Sequence, residues 1–309
     1  MAMTLLEASK LSSGDVVRSG VIEMFAANSD ILRAMPFLDV PGGSYNYNQE
    51  GTLPGVAFRG VNEAYTESVG VVNPQVEVLR IGGGDLDVDK ALLKMHGDVV
   101  RTTHEAAKVK AMALYLTKKI IKGDSVSEPR EFDGLQNRLT GSQLISNSGA
   151  SAGIGLSLAK LDEAIDAVDS PTHLIMSKAM RRRLSAAARN TSVGGYIDYA
   201  QDEFGNRVTL YDGLPILIAD YDDVGARILD FSELEGDGSS TDGTSVYCVS
   251  FAENMLTGLQ NGMMEVSDLG EIDDKPVVRT RVEWLVGLAA LHGRCASRLY
   301  SVIDAAVTV

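Results

Sequence analysis

Hydrophobic positions along this chain change their period several times, and each change marks a part. Met3–Lys10 and Val16–Asn28 carry apolar residues at helical spacing, with Ser13-Gly14-Asp15 as the break between them. Ile31–Val40 is apolar and holds Pro36, which cannot continue a helix. From Pro41 to Asp89 the period drops to two. Tyr45, Tyr47, Val56, Phe58, Val76, Val78 and Ile81 lie in short alternating runs broken by glycine and proline, which predicts strand, turn and strand. Helical spacing returns from about Asp98 to Lys122, and Gly123 supplies its stop.

The later half has a different texture. Residues 124–155 read as loop, Leu156–Val168 as a helix, Thr172–Ser177 as a buried strand, and Lys178–Arg189 as a basic helix. Short strands are predicted at Val208–Tyr211, Leu214–Ala219, Ala226–Phe231 and Val246–Ser250, the pattern of a compact α+β lobe. Ser232–Ser245 is acidic and rich in glycine and serine, which predicts a mobile loop. Pro276–Leu285 alternates, with Val278, Thr280, Val282 and Trp284 on one face and Arg279, Arg281 and Glu283 on the other.

The Pro41–Asp89 segment has too few apolar residues for a core of its own, and a two-stranded ribbon is marginal in water unless it lies on something else. The surface it needs is expected to be another copy of the chain. Assembly, rather than catalysis, is the first expectation.

Charge sharpens this. The net charge is −14, yet Lys90–Lys122 holds eight Lys/Arg against Asp98 and Glu105, so the rest of the chain sits at −20. An acidic protein with one basic helix is no general nucleic-acid binder, although that helix could face a polyanion. At 309 residues the chain can bury a full core in one or two domains. Cys248 and Cys295 lack metal or redox spacing and read as reduced core residues. Met1–Gly20 has no unbroken apolar stretch and no window approaches a membrane span, so a soluble, cytoplasmically made protein is expected.

Enzyme motifs are present in outline only. Ser148–Gly155 resembles the glycine-rich cofactor loop of short-chain dehydrogenases. It sits mid-chain after a polar stretch, and the one Tyr-xxx-Lys pair, Tyr115 and Lys119, precedes it instead of following. Gly149-Ala-Ser151-Ala-Gly153 matches a nucleophile elbow, with His173 and His292 downstream, but lacks a firm strand before it. Asp85-Leu-Asp87-Val-Asp89 begins like a calcium loop, yet its sixth and twelfth positions are Lys90 and His96. The competing reading is a strand with carboxylates on one side and Leu86 and Val88 on the other. His96, His104, His173 and His292 have no metal-ligand spacing. Neither an enzyme, a cofactor nor a metal site is expected.

Taken in order, several phrases of the chain resemble the tailed-bacteriophage major capsid proteins of the Hong Kong 97-like fold. They are TLLEASKLSSGDVVRSGVIEMFAANSDILRAMPFLDVPG, NYNQEGTLPGVAFRGVNEAYTES, VEVLRIGGGDLDVD, FDGLQNRL, HLIMSKAMRRRL, YDGLPILIADY and VVRTRVEWLVGLAALHGRCASRLYSVI. Each is weak alone; their collinear order carries the likeness. The resemblance implies an α+β fold with an N-terminal arm (1–40), an extended β-loop (41–84), a peripheral domain with a long spine helix (85–170, completed by 271–309) and an axial domain (171–270). It implies a shell protein of the virion, assembled in the bacterial cytoplasm. Its partners would be itself as pentamers and hexamers, packaged double-stranded DNA held without sequence preference, and portal, scaffolding and cement proteins, with no membrane. An encapsulin-like nanocompartment, which shares the fold, and a soluble enzyme with a glycine-rich cofactor loop are the alternatives.

At 100° per residue, Arg101, His104, Lys108, Tyr115, Lys119 and Lys122 form one stripe of the basic helix. Ala106, Val109, Ala113, Leu116 and Ile120 form another, expected to pack on the sheet containing Val278–Trp284. With the spine helix facing the shell interior, the resemblance makes Arg101, Lys108, Lys119 and Lys122 candidates for contact with DNA phosphates. A competing expectation pairs them with acids of a neighbouring subunit.

Overall fold

The computed structural model describes residues 29–96, 99–149, 151–189, 197–201, 207–235 and 238–308. The two helices expected within Met3–Asn28 lie outside them. The chain enters at helix α1 (Asp30–Ala34), whose first turn is capped by the Ser29 hydroxyl accepting from the Leu32 amide. Pro36 ends it, and β1 (Phe37–Asp39) follows.

The alternating segment forms a ribbon of β2 (Ser44–Thr52) against β3 (Val71–Val78), antiparallel, then runs through Leu79 into β4 (Arg80–Asp89). Strand β4 turns into α2 (Lys90–His96) and the long helix α3 (Val99–Lys122). Gly123 ends α3 because nothing larger fits: a Cβ there would lie 2.3 Å from the Phe132 carbonyl oxygen. After α4 (Leu135–Arg138) and β5 (Leu144–Ser146) come α5 (Leu158–Asp166), β6 (His173–Met176) and α6 (Lys178–Ala187). Strands β7 (Ile197–Gln201), β8 (Arg207–Tyr211), β9 (Leu214–Ile218), β10 (Thr244–Val249), β11 (Leu256–Gln260), β12 (Glu265–Ile272), β13 (Lys275–Ala290) and β14 (Ala296–Val302) complete the chain.

Two sheets organise these parts. In the first, the sixteen-residue β13 carries β12 and β11 in tandem on one side and β4 on the other, with β1 parallel to β11. The second runs β5-β14-β10-β6-β9-β8-β7. Helix α3 lies between them. Val109, Ala113, Leu116 and Ile120 pack with Val282, Trp284 and Val286 of the first sheet, as the apolar stripe predicts. Met112 and Ile121 widen that stripe, and the same core takes in Ile175, Leu217 and Tyr247 from the inner face of the second sheet. The outer face of the second sheet is covered by Leu158, Leu161 and Ile165 of α5 and Met180 and Leu184 of α6. No helix among the described residues is long and apolar enough to cross a membrane.

Two sequence expectations are corrected here. Ala226–Phe231 is no strand. The Asp222 carboxylate accepts from the Val224 and Ala226 amides and folds the chain into a turn, leaving one isolated bridge between Tyr221 and Arg227. Strands β1, β5, β7, β11, β12 and β14 are not among the predicted ones; every residue of β11 is buried, so it shows no alternation to read. In the second sheet β5 and β14 pair alongside β10 and β6, while β11 and β12 pair with β13 in the first.

Candidate functional site

The ribbon is fixed at its root and bare at its far end. Tyr45 and Tyr47 stack at 5.9 Å and rest on Val40, Leu79, Leu259 and Ala289. The Tyr47 hydroxyl donates to the Ala290 carbonyl at 3.0 Å, and burial together with Glu77 pushes its pKa up to about 12. Glu77 takes a forked contact from Arg138, whose second arm donates at 2.8 Å. Beyond this root no described residue covers the apolar side chains: Val56, Phe58 and Val61 are 97%, 107% and 94% exposed, and Leu53, Tyr65 and Val69 are open too. Monomeric proteins rarely leave so many large apolar groups unburied in one segment.

The predicted cationic stripe does not stand free on an open surface. It runs along the margin of the first sheet and meets carboxylates of the same chain. Arg101 bonds Asp268 at 2.7 Å and Glu105 at 3.0 Å, and also donates to the Thr280 hydroxyl at 2.9 Å. That guanidinium holds the Asp268 carboxyl below its ordinary pKa. Lys119 meets Glu131 at 2.5 Å and Lys122 meets Asp230 at 3.0 Å. Lys108 forms no carboxylate ion pair among the described residues; its ammonium lies over Gly84, where a Cβ would come within 2.7 Å of it.

The acidic Asp220–Glu235 segment is anchored, contrary to the mobile loop expected over Ser232–Ser245. Asp220 pairs with Lys178, Asp222 with Lys118, and Asp230 with Lys122, at 2.7, 2.8 and 3.0 Å. Glu233 is buried and takes Arg298 at 2.8 Å together with the Ser245 hydroxyl. Glu235, also buried, accepts from the Gly153 amide at 2.7 Å. Composition reads as solvated here because the partners of these carboxylates lie elsewhere in the chain.

The enzyme-like motifs resolve into packing. In Ser148–Gly155, a Cβ on Gly155 would lie 1.9 Å from the Ala306 carbonyl oxygen, and one on Gly153 would strike Ile303. These glycines let two backbones touch. Asp85 and Asp87 take forked contacts from Arg281 and Arg279 across the β4–β13 ladder, at 2.6–2.9 Å. That is the strand reading, with Val88 buried on the opposite face. His173 lies half-buried beside Phe251, and desolvation lowers its pKa to about 4. No group of metal-ligating side chains occurs among the described residues.

Comparison with known proteins gives this geometry its context. Residues 13–154 match the family model "Major capsid protein GP7". No curated protein matches the chain. Among solved structures, the holo-SrpI encapsulin complex from Synechococcus elongatus superposes with a TM-score of 0.61 at 18% identity, covering 90% of this chain and 89% of that one. The capsid of a native GTA particle gives 0.60 at 14%, covering 89% and 90%. A chain from Mycobacterium phage Bobi gives 0.60 at 12%, covering 88% and 89%. At such identities the structures establish the fold, and the family match is confined to residues 13–154. The chain has the Hong Kong 97-like fold of these capsid and encapsulin chains, and its residues 13–154 resemble the major capsid protein GP7 family.

Proposed function

We propose that the chain is a phage major capsid protein, that it closes its rings and shell by laying the Ser44–Val78 ribbon over a neighbouring copy, and that the shell encloses the double-stranded DNA of a tailed phage. The bare apolar end of a ribbon whose root is locked carries the reading: the chain folds everything except the part that needs a neighbour. Head-to-tail contacts of this kind close into rings. The peripheral unit would comprise α3 with β1, β4 and β11–β13, and the axial unit the second sheet with α5 and α6. Portal, scaffolding and cement proteins are the further partners this role implies, and no catalytic step is assigned. The likeness to an encapsulin supports a second reading, a cargo compartment. Electron microscopy of the purified chain should show closed particles. Nuclease-resistant DNA inside particles from infected cells supports the first reading, and a protein cargo without DNA supports the second.

The shell is expected to hold without covalent links. Lysine ammonium groups can be activated as nucleophiles, but Pro41–Gly84 offers only Arg59 and Arg80 as cations, and a guanidinium stays protonated. Particles boiled in denaturant should run as one band at 33.0 kDa; a ladder of multimers overturns this.

Of the four candidate DNA contacts, Lys108 keeps its charge available, whereas Arg101, Lys119 and Lys122 hold carboxylates of their own chain. Lys108→Glu is expected to leave empty shells normal and weaken DNA retention, increasingly so at higher salt. Lys122→Glu should instead cost about 1 kcal/mol of subunit stability through Asp230 before any DNA is present. Equal DNA retention in wild-type and Lys108→Glu particles removes Lys108 from the proposal.

A further inference from the structure

Strand β4 has one open side. Across its ten residues it pairs with β13, and among the described residues nothing pairs with its other edge. Gly82-Gly83-Gly84 leaves that backbone bare of side chains, so a second backbone could approach closely. Beside the edge, under the overhang of α3 and the Glu128–Phe132 loop, lies a groove of about 370 Å³. Its apolar wall is formed by Ile81, Tyr115, Leu116, Phe132 and Val286. The Arg80 Nε is buried there without an acceptor, an orphan donor that calls for one. An open edge beside a side-chain groove is the arrangement by which sheets accept an added strand.

The rest of the chain shows what could fill it. Leu53–Phe58 carries no charge, and its Val56 and Phe58 are the most exposed large apolar side chains among the described residues. Val56 and Phe58 are two residues apart and, once extended, project to the same side. This segment cannot reach the groove of its own chain. The groove flanks the root of the ribbon, whereas Leu53–Phe58 is at the far end, about 30 Å away at roughly 3.3 Å per residue over the nine residues of β2. A copy displaced by one ribbon length is required.

We infer that the outer edge of β4, with the groove at Arg80–Gly83, is the seat of residues Val56–Phe58 from a second copy. Those residues add as a short strand and place Val56 and Phe58 in the groove. The inference rests on the ribbon reaching a neighbour, and it names where the ribbon lands.

Cross-linking tests it on the full chain. Val56→Cys and Ile81→Cys alter two exposed side chains, while Cys248 and Cys295 are buried and leave the new thiols as the reactive ones. A short bis-maleimide applied to assembled particles should yield covalent multimers, and the same reagent on dissociated subunits should yield none. If particles form but link instead through Val56→Cys with Val224→Cys, an exposed site on the acidic segment, the landing site is wrong and the neighbour reading survives. A link from Ile81→Cys to Val21→Cys would replace the ribbon by the N-terminal segment as occupant. Wild-type chain that never forms particles refutes the assembly reading itself. As a check needing no variant, a peptide spanning Gly51–Gly60 should slow wild-type assembly several-fold, and no effect at saturating peptide counts against the groove.

Discussion

Excising residues 44–78 and joining Gly43 to Leu79 is expected to give a chain that folds and builds no shell. The Leu79 amide already donates to the Gly43 carbonyl at 2.9 Å, so the cut ends meet without strain. Among the large apolar side chains removed, most are already exposed, so little core is lost. The exception is electrostatic. Glu77 is the partner of Arg138, whose side chain is 14% exposed, and removing one member of a buried pair costs about 3–5 kcal/mol. The excision should therefore carry Arg138→Met, which replaces an orphaned charge by an apolar chain of similar length. With that change, unfolding free energy should stay within about 2 kcal/mol of wild type, and sedimentation should find only subunits and small oligomers. Particles of normal size from the excised chain would falsify the assembly role of the ribbon. An excised chain that keeps Arg138 and unfolds easily reports the orphaned guanidinium.

How far this could be read in advance depends on the range of the interactions concerned. The long helix and its end at Gly123 follow from local spacing and one close approach, and both were legible. So was the alternation of Val278–Trp284, because one face of β13 is wet there. Further along, β13 runs through Leu288 and Ala289 with both sides covered, and its continuation to Ala290 carries no period to detect. The ribbon was legible from its lack of a core. The collinear order of the capsid-like phrases was legible too, since order survives when single motifs are weak. The cationic stripe follows from helical spacing, but its ion-pair partners do not. Helical geometry places Lys122 on a face, yet only tertiary structure brings Asp230 to it across 108 residues. The expectation for Ser232–Ser245 failed for the same reason. Acidic, glycine-rich composition describes a solvated loop unless its acids find distant partners, and here Glu233 takes Arg298 and Glu235 the Gly153 amide.

The last prediction turns on the most enclosed of those pairs. The side chains of Arg298 and Glu233 are 13% and 7% exposed, on β14 and on the acidic segment respectively. Arg298 also donates to the Ser245 hydroxyl at 2.9 Å, so one guanidinium joins β14, β10 and the acidic segment beneath the end of α3. Arg298→Ala leaves a carboxylate with no countercharge and little water. It should lower unfolding free energy by about 3–5 kcal/mol, read from the denaturant midpoint at unchanged slope. Glu233→Gln with Arg298→Met removes both charges and should recover most of that loss, because a buried pair stabilises little beyond an apolar replacement of similar shape. A single-variant loss below about 1 kcal/mol, the scale of an exposed pair, would mean that water reaches Glu233 and that the acidic segment is not held as described. A double variant no better than the single one would show that Ser245, left without the guanidinium, carries the cost. In either case the shell assay separates fold from assembly: a subunit weakened only here keeps its ribbon and groove, and should still form particles below its unfolding midpoint.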